Sequence, residues 1–441
     1  MSFVKGNTYN FTVLICICFH NFSMALICLH LHSLTFFALY FIIAHSGQAT
    51  VNNKCIRASS KIYHHYDTAT DTVFNVLDYG AVGDGQHDDS KAFGQAWEAA
   101  CKTSSATLLV PSNKTFLVNN LAFEGQCEPG LVFQVDGMII APEDPEAWES
   151  KDVWLLFEHL NQFTLTGNGV IDGQGSKWWD NHSKQSASDD RPTAIHFNGC
   201  TELAINGLHV SNSPRIHFAL SECDRVQMVG VEIMAPEDSP NTDGIDVFTS
   251  RNIVIEDCII GTGDDCIAIG NGALDIVIKD VTCGPGHGIS IGSLGKDDSE
   301  SEVRSVQVDG AIFKETQNGL RIKTWQGGSG MARDIIFGNV QMVNAENPII
   351  IDQYYCDSPD PCQTQSSAVQ VSNVTYKSIS GTSASQAAIK LDCSHSNPCK
   401  SITLSDVSLT LPSGDEATSE CQNAQGQSIG TVNPSGCFSS V

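Results

Sequence analysis

Positive charge is scarce in this sequence: 24 Lys and Arg stand against 50 Asp and Glu, a formal net charge of −26. A surface that acidic is a poor general binder of nucleic acid or of an anionic membrane, because both need concentrated Lys and Arg. A polyanionic partner would have to meet a local basic patch. Paired metal ligands are also missing: no Cys-x-x-Cys occurs and the His residues are scattered, so no metal and no other cofactor is expected. The leucine-rich frame L-x-x-L-x-L-x-x-N is absent. The glycine-rich turn Gly80-Ala-Val-Gly-Asp-Gly85 lacks the Gly-Lys-Ser/Thr ending of a phosphate loop and reads as structural.

What is present is the composition of an ordered protein, 41% hydrophobic with 37 Gly among 441 residues. That glycine content suits many tight turns rather than long helices. The segment from Phe11 to Ala44 is almost wholly apolar, broken by His20, Asn21, His30 and His32. It is long enough for a membrane anchor, which needs roughly 20 apolar residues. The favoured reading of residues 1–49 is a cleaved secretory signal, with Leu34–Ala44 as apolar core and small residues at Ser46–Ala49. Met24 offers a second start that would leave a leader of ordinary length. Residues 50–71 read as an N-terminal extension.

Cysteine usage points the same way. Several cysteines beyond the leader fall in short-loop pairs: Cys101/Cys127, Cys266/Cys283, Cys356/Cys362, Cys393/Cys399 and Cys421/Cys437. Such pairs read as loop staples of an oxidising compartment, although spacing alone leaves the connectivity open. Asn113, Asn181 and Asn373 head glycan acceptor sequons. A secreted, monomeric protein with no membrane contact after signal cleavage is expected.

A short phrase, apolar-any-apolar followed by a polar or glycine turn, recurs along the chain. It appears as Phe163-Thr-Leu165, Leu203-Ala-Ile205, Val226-Gln-Met228, Ile253-Val-Ile255, Ile276-Val-Ile278, Val306-Gln-Val308, Ile335-Ile-Phe337, Val369-Gln-Val371 and Ile402-Thr-Leu404. From Leu203 onward its copies begin 23 to 34 residues apart. A period of that length signals a solenoid or propeller. Each repeat holds several short β-branched runs separated by Gly, Asn and Asp, which suits short strands coiled into a parallel β-helix. The expected fold is therefore all-β: a single-domain solenoid over residues 72–410. A capping helix from Lys91 to Lys102, begun by Asp88-Asp-Ser90, lies near its start, and an irregular cap over 411–441 is stapled by Cys421 and Cys437.

A second phrase lies further along four repeats: Asp243-Gly-Ile245-Asp-Val247, Asp265-Cys-Ile267-Ala-Ile269, His287-Gly-Ile289-Ser-Ile291 and Asn318-Gly-Leu320-Arg-Ile322. Aligning the apolar pairs puts Asp243, Asp265, His287 and Asn318 in one column. Stacked strands lie about 4.8 Å apart, so such a column gathers residues distant in sequence. Asp243, Asp246, Asp264 and Asp265 then crowd one region. Carboxyls that share a cleft cannot all ionise easily, and one retains its proton as an acid. Glycoside cleavage needs that acid for the leaving oxygen and a second carboxylate for water or for attack on the sugar. Arg321 and Lys323, one repeat later, would supply the local positive patch. Taken singly, an Asp-Asp pair is usually a solvated turn and an Arg-x-Lys an exposed strand face. Aspartate-rich turns can also bind calcium, as in a lyase. The joint occurrence on successive repeats favours the catalytic reading.

Asn241-Thr-Asp243, Gly263-Asp-Asp265, Gly286-His-Gly288 and Arg321-Ile-Lys323 resemble, in order and spacing, the motifs of the polygalacturonases, glycoside hydrolase family 28. The resemblance covers roughly residues 72 to 437. The chain beyond the leader is similar to the conifer-pollen members of the family, among them allergens. The resemblance implies a right-handed parallel β-helix that hydrolyses α-1,4 bonds between galacturonates of de-esterified pectin with inversion, without a metal. It implies Asp264 as general acid, Asp243 and Asp265 as the carboxylates that hold and deprotonate water, and His287 as the group that keeps Asp264 protonated. Arg321, Lys323 and Tyr354 would grip a galacturonate carboxylate, with Tyr355 adjacent, and Asn241 and Gly288 would also face substrate. Cys266 and Cys283 would brace the acid and histidine rungs. Asp246 sits where relatives vary between Asp and His and is read as structural.

The polysaccharide is thus the expected partner, and endo attack the favoured mode. A rhamnogalacturonan hydrolase is a less favoured alternative, because Arg321 and Lys323 suit a bare carboxylate. A catalytically weak wall-binding protein on the same scaffold is the non-enzymatic one.

Overall fold

A computed structural model describes residues 72–180, 190–358 and 362–438. The expected leader, the extension over 50–71 and Asn181 lie outside them. Among the described residues no helix is long and apolar enough to cross a membrane.

The repeat phrase becomes the inner stack of a parallel β-helix. Leu203 pairs with Val226, Val226 with Ile253, Ile253 with Ile276, Ile276 with Val306 and Val306 with Ile335. All six are buried, while Gln227, between Val226 and Met228, faces out. Burying each Ile or Val contributes roughly 1.5–3 kcal/mol, so repetition of one phrase builds a continuous core. The stack then passes through Val374 and Tyr376 to Ile402 and Leu404, not through the expected Val369–Val371. Val371 pairs instead with Ala332, earlier on the same long strand, Ser329–Ala345. Two adjacent apolar-any-apolar phrases compete here, and spacing alone does not choose between them. The tight corners use left-handed residues such as Asn252, Asp257, Asp275 and Asp280. Short polar side chains tolerate that conformation by bonding locally.

At the N-terminal end the helix Ser90–Cys101 buries Phe93 and Trp97 over the first coil, with Trp97 edge-on to Phe123 at 5.0 Å. The start differs in detail from the expected cap. Asp88 accepts the Ser90 N–H, whereas Asp89 accepts from Val82 and Gly83 and ties the glycine-rich turn to the helix.

The C-terminal end is a correction. The segment expected as an irregular cap adds a further rung: Thr418–Gln422 joins one sheet and Ala424–Asn433 the other. Its residues are mostly polar, which hid the strands from an apolar pattern. Among the described residues, five disulfides join Cys101–Cys127, Cys266–Cys283, Cys356–Cys362, Cys393–Cys399 and Cys421–Cys437.

The strands divide into a 22-stranded and an 11-stranded sheet, and the smaller one carries the second phrase. On it Ala219, Asp246, Ala268, Ser290, Arg321 and Ile350 fall in register on successive strands. Their neighbours along each strand, such as Ile245 and Val247, point into the core.

Candidate active site

The Asp265 strand contains the irregularity that builds the site. In the Asp265–Ile269 strand, Asp265 pairs with Gly288 and Ile267 with Ile289, so Cys266 is an extra residue without an opposite number. Strict alternation would point Asp265 inward with Ile267. The bulge lets Cys266 turn inward to its disulfide while Asp265 faces the outer column. The expected column is corrected accordingly: Asp265 lies opposite Gly288, and His287 lies opposite Asp264.

Asp265 is fully buried and fully partnered. Its Oδ1 accepts from Ser290 Oγ at 2.8 Å and Arg321 Nη2 at 2.6 Å, and Oδ2 accepts from Lys323 Nζ at 2.8 Å. Arg321 Nε also donates to Ser290 Oγ at 2.8 Å. Burial alone would raise the Asp265 pKa, but Arg321 and Lys323 overcome it and hold it at about 2. Burial works against both cations as well, and the Asp265 charge outweighs it. The two cations and one anion leave a net positive charge, the local patch that an acidic protein would need for an anionic ligand.

Asp264, on the preceding turn, is half-buried. Its Oδ1 lies 2.9 Å from His287 Nδ1 and accepts the Asp265 N–H at 2.8 Å, and its Oδ2 lies 3.4 Å from Asn241 Nδ2. Asn241 is itself pinned, its Oδ1 accepting from Arg191 at 2.8 Å. Arg191 is buried and also donates to the carbonyls of Pro240 and Pro214. Gly263 lets this turn close, since a Cβ there would meet the Ser239 carbonyl oxygen at 1.8 Å. Gly288, expected to face substrate, is buried with φ +92°, and a Cβ there would meet the Asn318 carbonyl at 2.1 Å. Its role in this geometry is close backbone packing. Asn318 donates to the His287 carbonyl at 3.1 Å, behind the histidine.

Asp243 is held from below by His217, which sequence reading passed over. The His217 N–H donates to the Asp243 carbonyl at 2.8 Å and ring Nδ1 lies 3.0 Å from the same oxygen. Ring Nε2 accepts the Ser213 N–H at 3.3 Å, which places the ring proton on Nδ1. Burial lowers the His217 pKa to about 4. Burial first, then the charges of Asp264, Asp246 and Asp265, push the Asp243 carboxyl well above the usual range. The only early signal of His217 was a histidine at the head of an apolar strand.

Tyr354 and Tyr355 face different neighbours. Tyr355 presents its ring to Lys323 at 5.3 Å and packs edge-on to Trp325 at 5.5 Å. Tyr354 turns to the next coil, where its hydroxyl accepts the His395 N–H at 3.1 Å. Arg191, His217, Ser290 and Tyr355 thus join the site from outside the expected set.

Oxygen and nitrogen atoms of Asp264, Asp265 and His287 lie within 4.8 Å of one another. They suit a metal poorly, because both Asp265 oxygens already face cations. A cluster of carboxyls with a cationic cradle beside it suits glycoside cleavage instead. Residues 101–434 match the pattern of a known family, glycosyl hydrolases family 28. The chain belongs to that family. Among family relatives, "Polygalacturonase" of Cryptomeria japonica is 55% identical over 384 residues, covering 86% of this chain and 74% of its own. "Polygalacturonase" of Juniperus ashei is 50% identical over 422 residues, covering 91% and 83%. The family 28 fold is shared by solved structures of lower identity. Polygalacturonase from Erwinia carotovora matches at a TM-score of 0.67 with 24% identity, covering 81% of this chain and 97% of that one. Endo-xylogalacturonan hydrolase from Aspergillus tubingensis matches at 0.72 with 24% identity, covering 82% and 100%. The chain is accordingly a right-handed parallel β-helix glycoside hydrolase.

Proposed function

We propose that this family 28 enzyme is a polygalacturonase that hydrolyses α-1,4 bonds between galacturonates of de-esterified pectin with inversion, acting after export to the cell wall. The observation that carries the reading is the pairing of Asp264 with His287 and Asn241 beside the Asp265–Arg321–Lys323 cluster.

In this reading Asp264 gives its proton to the glycosidic oxygen, and His287 and Asn241 hold it in place. The base is Asp243 above all, because Asp265, held at about 2, is a weak base and serves to orient water. The residual positive charge of Arg321 and Lys323, with Tyr355 packed against Lys323, holds the substrate carboxylate. Inversion requires the acid and base carboxyls to stand roughly 6.5–9.5 Å apart, with the water between. Endo attack is supported by the 11-stranded sheet, in which four strands precede the Asp243–Lys323 set and three follow it. A polymer can then extend both ways. Export is supported by these disulfides, and Asn113 is exposed in a left-handed turn and Asn373 at a left-handed position of the strand Gln370–Ser383.

The test is incubation with polygalacturonate in the presence of a chelator, following reducing ends, ultraviolet absorbance and product lengths. New reducing ends without an absorbing unsaturated product are expected, with mixed oligomers from the start. Absorbing products would make it a lyase, and monomer alone would make it exo-acting.

A further inference from the structure

Asp246 lies on the same outward column as Ser290 and Arg321, between Ala219 and Ala268 on the flanking strands. Only 5% of it is exposed, and its Oδ1 is buried with no hydrogen-bond partner. An ionised carboxylate so placed would be costly, and buried polar atoms are ordinarily paired. The charged groups around it are Asp265 and Asp264 on one adjoining segment, Asp243 at the head of its own strand, Arg215 on the preceding coil and Lys323 beyond Asp265. Three of the five are carboxyls.

We propose that Asp246 is a positioning residue of this active site that keeps a proton and stands as a neutral donor within the carboxylate cluster. The proposal rests on the hydrolase reading above and assigns a residue which that reading leaves structural. Asp246 is more deeply buried than Asp243, which is half-buried, and an Asp246 charge would raise Asp243 further, so a neutral Asp246 lightens the negative charge of the cluster. Burial first and then the Asp265 charge, opposed by Arg215, push Asp246 up to about 8. Below that pH it is a neutral donor beside the base, and above it a second anion.

The test uses the full chain carrying Asp264→Asn, which removes turnover and the proton of the acid. Infrared difference spectra near pH 7 between this variant and the same chain with Asp246→Asn added are expected to show the loss of one protonated-carboxyl band. Spectra without that loss overturn the proposal. In the otherwise unmodified enzyme Asp246→Asn keeps a neutral donor and should lower kcat by about tenfold or less at unchanged KM, whereas Asp246→Leu should cost about a hundredfold. Equal losses in the two would make Asp246 a packing residue. Loss in Asp246→Asn as complete as in Asp264→Asn would mean that Asp246 works ionised. Turnover that persists in Asp264→Asn would remove the acid assignment while the infrared result still decides the protonation of Asp246.

Discussion

Asp264 and His287 are joined twice: the His287 N–H donates to the Asp264 carbonyl at 2.7 Å, and ring Nδ1 meets Oδ1 at 2.9 Å. The backbone bond fixes where the ring can stand, so the side-chain contact is held by the coil and not by a rotamer alone. An acid placed in this way should act in the transition state more than in binding. Asp264→Asn is expected to lower kcat by about a thousandfold or more, and His287→Ala by about a hundredfold, each with KM within a few-fold. Reducing-end assays over a range of polygalacturonate concentrations separate the two constants. A raised KM with kcat retained in His287→Ala would make that residue a binding group.

Asp265 carries the clearest pH signature. Its carboxyl is held at about 2 against an ordinary 3.8, so its ion pairs stabilise the folded state fully above about pH 4. That contribution fades as pH falls from about 4 toward 2. Asp265→Asn removes the anion and leaves Arg321 and Lys323 buried without it. Near pH 7 the variant should be less stable by about 3–5 kcal/mol, the usual cost of breaking a buried pair. Its melting temperature should also fall less steeply than the parent's between pH 4 and 2. Parallel curves for the two proteins would contradict the ion-pair account.

How much of this was legible beforehand follows from where periodicity holds. The apolar pairs Ile245/Val247, Ile267/Ile269 and Ile289/Ile291 put their strands in the right sheet and register, because each side chain repeats one burial. The departure came at Cys266. Asp265-Cys-Ile267 has the same spacing as Asp243-Gly-Ile245, and nothing in the text marks the inserted residue that turns Asp265 outward. Tyr355 was displaced by Tyr354 for a related reason: both follow the strand Asn347–Asp352, where alternation ends and the chain turns. Arg191 and His217 were silent because their partners, Asn241 and Asp243, lie 50 and 26 residues away.

His217 makes a prediction of the same kind with a different window. Burial depresses its pKa to about 4 from 6.5, so the neutral ring belongs to the folded state. The stability it contributes is complete above about pH 6.5 and is lost as pH falls from there toward 4. His217→Gln should flatten that part of the stability curve and lower kcat by about tenfold through the loosened Asp243 carbonyl, with KM little changed. Denaturant unfolding at several pH values, together with kinetics, reads both. Unchanged kinetics in a folded variant would limit His217 to packing.

The last prediction concerns the disulfide between Cys266 and Cys283. Its two cysteines are 17 residues apart, and the loop it closes begins immediately after Asp264 and Asp265 and ends four residues before His287. Loops near that length gain about 3 kcal/mol from closure. Here the bond also fixes the inward turn of the bulged residue, and that turn is what presents Asp265 to Arg321 and Lys323. Replacing both cysteines by Ser should therefore cost about 3 kcal/mol, measured by denaturant unfolding. It should also lower kcat at temperatures where the variant is fully folded. Replacing both Cys393 and Cys399, a pair whose separation is 6 and which lies two strands beyond the Arg321–Lys323 strand, should lower stability alone. If both pairs lowered kcat equally in folded enzyme, the bulge would have no special hold on the carboxylates. A loss confined to the Cys266–Cys283 variant would tie the geometry of the acid cluster to that one inward-turned residue.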